Sequence, residues 1–126
     1  MWLLPYDRQP GEGFMINNVS IIIKNAQGDE GLTLGIRTAY AAQSGGYATS
    51  LVLMKNGIYN LTGSMPDYLR EMISLFVENE GQLYYHEACA SKLGVTPREI
   101  VLQRARPITS AALADLIDES DTVNVY

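Results

Sequence analysis

The chain holds one cysteine, one histidine and one tryptophan. A single cysteine excludes an internal disulfide and fits a reducing compartment. One histidine plus one cysteine leaves a tetrahedral metal site two ligands short, so no metal centre is expected. Basic residues are also scarce: nine Lys and Arg stand against fourteen Asp and Glu, for a net charge of −5. The nine are scattered, whereas binding along phosphates needs them clustered, so nucleic acid is not expected as a partner. No apolar run reaches the roughly 18 residues that mark a membrane span. The opening Met1-Trp2-Leu3-Leu4-Pro5 is short and lacks the basic start of a signal peptide. Gly-x-Gly-x-x-Gly, the Walker pattern and a nucleophile-elbow serine are all missing. No cofactor is therefore assigned, and a cytoplasmic protein is the expectation.

What is present reads as one α/β domain. The chain has 126 residues, enough for a single domain with a proper core. Residues 1–14 stand apart. Asp-Arg-Gln-Pro-Gly-Glu-Gly at 7–13 is polar and rich in breakers, which predicts loop or disorder. This segment is either a translated upstream extension or an arm that docks through Trp2 and Tyr6. The domain proper is expected over 15–126.

From Val19 to Lys24 the chain is nearly continuous and β-branched, which suits a strand buried on both faces of a parallel sheet. Residues 25–30 form a turn, in which Asp29 can cap the next helix. Its place between a strand and a helix also suits an anion, but Asp29 and Glu30 repel phosphate, so a capping turn is expected. Leu32, Leu34, Ile36, Ala39, Tyr40 and Ala42 keep helical spacing until Gly45-Gly46. Residues 48–54 predict a second strand and 55–64 a long loop. Pro66 opens a second helix whose stripe is Leu69, Met72, Ile73, Phe76 and Val77. Its Asp67, Glu71, Glu78 and Glu80 read as a solvated face rather than acid/base pairs. A third strand follows at 83–85. Thr96-Pro97-Arg98-Glu99 has the form of a capping box. Residues 100–104 predict a fourth strand. Thr109 or Ser110 caps a last helix, and 121–126 alternate as a final strand. Strands alternating with helices imply about five mostly parallel strands with helices on both faces. Ligands then bind beyond the carboxyl ends of the strands, where 25–30, 55–64 and 86–89 can share one crevice.

The chemistry concentrates in residues 81–94, Gly-Gln-Leu-Tyr-Tyr-His-Glu-Ala-Cys-Ala-Ser-Lys-Leu-Gly. His86 and Cys89 fall three residues apart where the third strand gives way to a helix over 88–93, with Gly94 as its stop. A thiolate there lies near the unpaired N–H groups of a helix start. Two readings of the pair stay open. Residues three apart on a helix face each other, so an imidazolium at His86 can lower the thiol pKa. Alternatively His86 precedes the helix and points elsewhere as a polar loop residue, and Glu87 pulls the thiol the other way. Eight tyrosines, including Tyr59, Tyr84, Tyr85 and Tyr126, serve either as interface anchors or as core residues with the hydroxyl at the rim.

Three stretches together resemble the DsrE/DsrF-like family, including its TusD and YchN types. They are residues 21–30 running into an Ala-rich helix, Leu-Val-Leu-Met-Lys-Asn-Gly-Ile-Tyr at 51–59, and Tyr-His-Glu-Ala-Cys-Ala-Ser-Lys-Leu-Gly-Val at 85–95. The ending at 114–125 fits as a last helix and strand, so the resemblance covers about 17–126. It implies a single flavodoxin-like domain, homo-oligomers of trimer or hexamer type, and sulfur transfer through a cysteine persulfide between donor and acceptor proteins. In the family's Cys-x-x-Cys segment, Cys89 matches the second cysteine. His86 stands where the TusD type keeps its sulfur-carrying cysteine, and Leu93 stands where an Arg often precedes the glycine. Cys89 is then either a displaced sulfur carrier, with His86 as its partner, or an inert core thiol in a non-catalytic oligomeric binding or scaffold protein. A flavin or nucleotide binder on the same fold rests on fold analogy alone.

Overall fold

Why the strands lie parallel follows from what joins them. In a computed structural model, which describes residues 17–25, 30–63, 65–100 and 104–126, every crossover carries a helix. The order is β1 (Asn18–Ile23), α1 (Glu30–Ser44), β2 (Ala48–Leu53), a 3-10 helix (Lys55–Thr62), α2 (Asp67–Glu78), β3 (Gln82–His86), α3 (Glu87–Leu93), a 3-10 turn (Pro97–Glu99), β4 (Arg106–Ile108), α4 (Ser110–Glu119) and β5 (Thr122–Val125). All neighbours pair in parallel, in the order β4-β3-β2-β1-β5.

That order decides which face each helix covers. From β1 to β4 the chain steps one way across the sheet, so right-handed crossovers put α1 and α2 on the same face. From β4 it returns past three strands to pair β5 with β1, so α4 crosses the other face. The packing agrees. Alternate residues Ile21, Ile23, Leu51, Leu53, Leu83 and Tyr85 meet Leu32, Ile36, Leu69, Ile73, Phe76 and Ala90 in the larger cluster. Ile22, Val52 and Ile108 meet Leu113 in the smaller one. Period-two alternation on a strand with both faces covered produces the continuous apolar run at β1 and β2.

Most boundaries agree with the sequence reading. Gly94, at φ 74°, closes α3 in the left-handed conformation that glycine adopts without a Cβ penalty. The Thr96 backbone N–H donates to Glu99 Oε1 at 2.9 Å, and its hydroxyl does so at 3.1 Å. These bonds, the backbone one first, hold the Glu99 carboxyl below its ordinary value. Thr109, rather than Ser110, caps α4, its Oγ1 accepting from the Ala112 N–H at 3.1 Å. Asp67, Glu71, Glu78 and Glu80 are exposed, as a solvated face requires.

Two expectations need correction. The fourth strand is not at 100–104 but at Arg106–Ile108. Ile100 follows the 3-10 turn, Arg104 lies in a turn, and 101–103 fall outside the described residues. The apolar run misled because composition alone does not decide which residues join the ladder. The true β4 is a short edge strand, where a proline such as Pro107 is tolerated because its missing N–H faces away from the ladder. The expected loop at 55–64 is a 3-10 helix over Lys55–Thr62, with Ile58 and Leu61 buried. Their spacing of three matches its three residues per turn. The extension at 1–14, its Trp2 and Tyr6, and the cap at Asp29 also lie outside the described residues.

β5 is fastened at its start by Asp121. One carboxylate oxygen accepts the backbone N–H of Asn18 at 2.9 Å and of Asn17 at 2.8 Å. These two bonds, Asn18 first, hold the carboxyl below its ordinary 3.8. A depressed folded pKa adds stability above the unfolded value, and that stability is lost as pH falls through the folded one. Asp121→Asn is therefore expected to lower the urea midpoint at neutral pH. The gap to wild type should shrink as the pH drops below 3.8. A gap that stays constant across this range would contradict the assignment.

Candidate functional site

Along the carboxyl edge of the sheet, β3 leads to α3 on one face and β4 leads to α4 on the other. Adjacent strands whose connections part to opposite faces open a crevice between them, and this is where ligands bind in such sheets. The β3/β4 boundary is that switch point.

Both expected site residues stand there. His86 ends β3 and is the residue just before α3, with extended backbone at φ −73°, ψ 115°. Cys89 is the third residue of α3. This is the spacing of a capping box, in which the side chains at the cap and three positions on reach each other. Here the two side chains bond to one another: His86 Nδ1 lies 3.0 Å from Cys89 Sγ. Of the two sequence readings, the facing pair is the one observed. His86 does precede the helix, yet it turns toward the thiol.

The other ring nitrogen has a partner that the sequence did not single out. His86 Nε2 lies 2.8 Å from Ser110 Oγ. Residue 110 is brought there by register: His86 pairs with Ile108 across β3 and β4, and the chain turns into α4 two residues later. In the sequence Ser110 showed only as a helix cap, and no local signal ties it to a residue 24 positions away. Register, once β4 is placed correctly, is what reveals it.

Cys89 is half-buried, with one side against the core cluster that includes Ala90 and Val95. His86 is half-buried, and Glu87 and Ser110 are exposed. A cleft of about 310 Å³ adjoins the pair, lined by Tyr85, Ala88, Ser91, Val95, Pro97 and Ser110 among others. Since α3 has only seven residues, its dipole is a minor influence beside an imidazole in direct contact. The arrangement can move the thiol proton from the half-buried Cys89 to Nδ1, leaving a nucleophilic sulfur.

Of the three loops expected to share the crevice, 25–30 is described only at its ends. The 3-10 helix packs against α3 and is tied to the end of β1. There Asn60 Nδ2 donates to the Asn25 carbonyl at 3.0 Å, and the Gly57 N–H to that of Lys24 at 3.1 Å. Of the tyrosines, Tyr85 is core, Tyr126 places its hydroxyl 2.9 Å from Thr38 Oγ1, and Tyr59 is exposed. Tyr84 lies under the Arg106 guanidinium, 5.0 Å from its ring centre. Among the described residues no three His, Cys, Asp or Glu side chains are grouped to hold a metal ion. No described helix is long and apolar enough to cross a membrane.

Parallel five-stranded topology and a thiol at the turn after β3 define the class. Residues 17–125 match the DsrE/DsrF-like family, and the chain belongs to that family, which is related in general to sulfur relay. No curated protein matches significantly. Among solved structures, the ychN protein from E. coli is 19% identical with a TM-score of 0.75, covering 89% of this chain and 100% of its own. A conserved protein of unknown function, BT1422 from Bacteroides thetaiotaomicron, is 10% identical with a TM-score of 0.70, covering 87% of this chain and 95% of its own. At these identities the likeness is one of fold.

Proposed function

We propose that the protein carries sulfane sulfur on Cys89, taking it from a donor persulfide and passing it to an acceptor thiol. The observation that carries this reading is the 3.0 Å contact between His86 Nδ1 and Cys89 Sγ at the switch point; family membership supports it. The thiol proton moves to Nδ1. The Cys89 sulfur then attacks the outer sulfur of the donor R–S–SH. A new S–S bond forms on Cys89 as the donor's S–S bond breaks. The donor thiolate leaves with the bonding pair and takes the proton from His86. The sum is Cys–SH plus R–S–SH giving Cys–S–SH plus R–SH, with no net oxidation. Delivery repeats the exchange, with the acceptor thiolate attacking the outer sulfur and Cys89 as the leaving group. A free thiol in this role belongs in a reducing compartment such as the cytoplasm.

Incubation with polysulfide followed by intact mass measurement tests the reading. A gain of one sulfur atom is expected on the wild type and none on Cys89→Ser. Equal masses before and after, in wild type, would remove the carrier role.

A further inference from the structure

We infer that Ser110 is a positioning residue for His86, holding the imidazole so that Nδ1 stays aimed at Cys89 and ready to accept its proton. The inference rests on the proposed use of the Cys89–His86 pair and adds a third member to it. With Nε2 carrying the ring proton, Nδ1 has a free lone pair toward the thiol, and Ser110 Oγ, 2.8 Å away, accepts from Nε2–H. The same bond persists when Nδ1 gains the thiol proton, because both ring nitrogens then donate. Without it the half-buried ring can rotate about its side-chain bonds, and the imidazolium faces a single partner. A base oriented by a third group is the general arrangement of activated nucleophiles.

The placement is not a by-product of helix capping. Thr109 Oγ1 already accepts the Ala112 N–H, and Ser110 is the first residue of α4, where alanine is well tolerated. Ser110 Oγ is thus free of a helical duty and bonds to the ring. Neighbouring hydroxyls on two consecutive residues therefore divide the work: Thr109 holds the helix and Ser110 holds the histidine. Because Ser110 is exposed and uncharged, water competes for the ring, and the effect is that of one neutral hydrogen bond.

The single cysteine and single histidine make the test clean, since one thiol and one imidazole report without overlap. Second-order alkylation of Cys89 by iodoacetamide is followed with pH in wild type, Ser110→Ala, Ser110→Thr and Thr109→Ala. The His86 ring nitrogens are followed by NMR in the same proteins. Ser110→Ala is expected to slow alkylation about 3- to 10-fold, the size of one such bond, and to shift the tautomer balance of the ring. Ser110→Thr, which keeps the hydroxyl, should restore both; Thr109→Ala should move neither. Wild-type rate and ring signals in Ser110→Ala would overturn the inference, as would equal slowing by Thr109→Ala. Sulfur uptake by the wild type reads the carrier role separately. If uptake fails while Ser110→Ala still slows alkylation, the positioning stands and the carrier role goes. If uptake occurs and Ser110→Ala changes nothing, only the role of Ser110 goes.

Discussion

His86→Ala is expected to slow sulfur uptake from polysulfide by up to about 30-fold near neutral pH, where a thiol of ordinary pKa, about 8.5, is only a few per cent ionised without help. The thiol's reaction begins with loss of its proton, and Nδ1 at 3.0 Å is the base in hydrogen-bond reach of Sγ. Raising the pH ionises the thiol without help, so the ratio of wild-type to variant rates should fall steadily as the solution becomes alkaline. His86→Gln separates two roles, because glutamine can hydrogen-bond to the sulfur but cannot take its proton at these pH values. It should resemble the alanine variant in rate while keeping the native fold. Uptake at the wild-type rate in both variants, measured by stopped-time intact mass, would show that the imidazole is a bystander.

The second large effect concerns stability. Phe76 is 1% exposed, and its ring lies against Gly81, three residues past the end of α2. A Cβ built at Gly81 would stand 2.5 Å from the ring's Cζ. Phe76→Ala should cost about 3–5 kcal/mol, the transfer term plus the cavity left behind. Gly81→Ala should cost about 1–3 kcal/mol, since the ring must leave its seat in a close-packed interior. The two are coupled. In the Phe76→Ala background the added methyl meets empty space, so the second change should cost little or be favourable. Urea denaturation of the four proteins closes the cycle; strictly additive losses would mean that ring and glycine do not share this contact.

Much of the fold was legible because its signals were local. β1 and β2 are continuous β-branched runs, α2 carries an apolar stripe behind Pro66, and Gly94 stops α3 where a left-handed residue is needed. Strands alternating with helices led to a parallel sheet. What escaped depends on neighbours distant in sequence. Residues 100–102, Ile-Val-Leu, have the composition of a strand, yet the ladder to β3 is made by Arg106–Ile108. An edge strand can be polar and contain proline, so its composition carries little signal. The function of Gly81, making room for the Phe76 ring, belongs to packing and leaves no trace in spacing.

At the site the pattern repeats. His86 and Cys89 are three apart on one local turn, so their meeting was foreseeable, though the sequence left two directions open for the ring. Ser110 is reached only through the pairing of His86 with Ile108. Misplacing β4 by several residues would put α4's start elsewhere along the edge, which is why the third member could not be read before the register was known. The switch point was hidden for the same reason, since it depends on which helix covers which face.

Sulfur transfer by this protein requires one sulfur atom that is both reachable and activated by its neighbour. The most direct measurement compares alkylation of Cys89 in the native protein with that of the same thiol in the urea-unfolded chain, at a slightly acidic pH where a free thiol is nearly all protonated. Faster reaction in the native state is expected, with the advantage lost in His86→Ala. A native thiol that reacts more slowly than the unfolded one, with or without His86, would contradict the account.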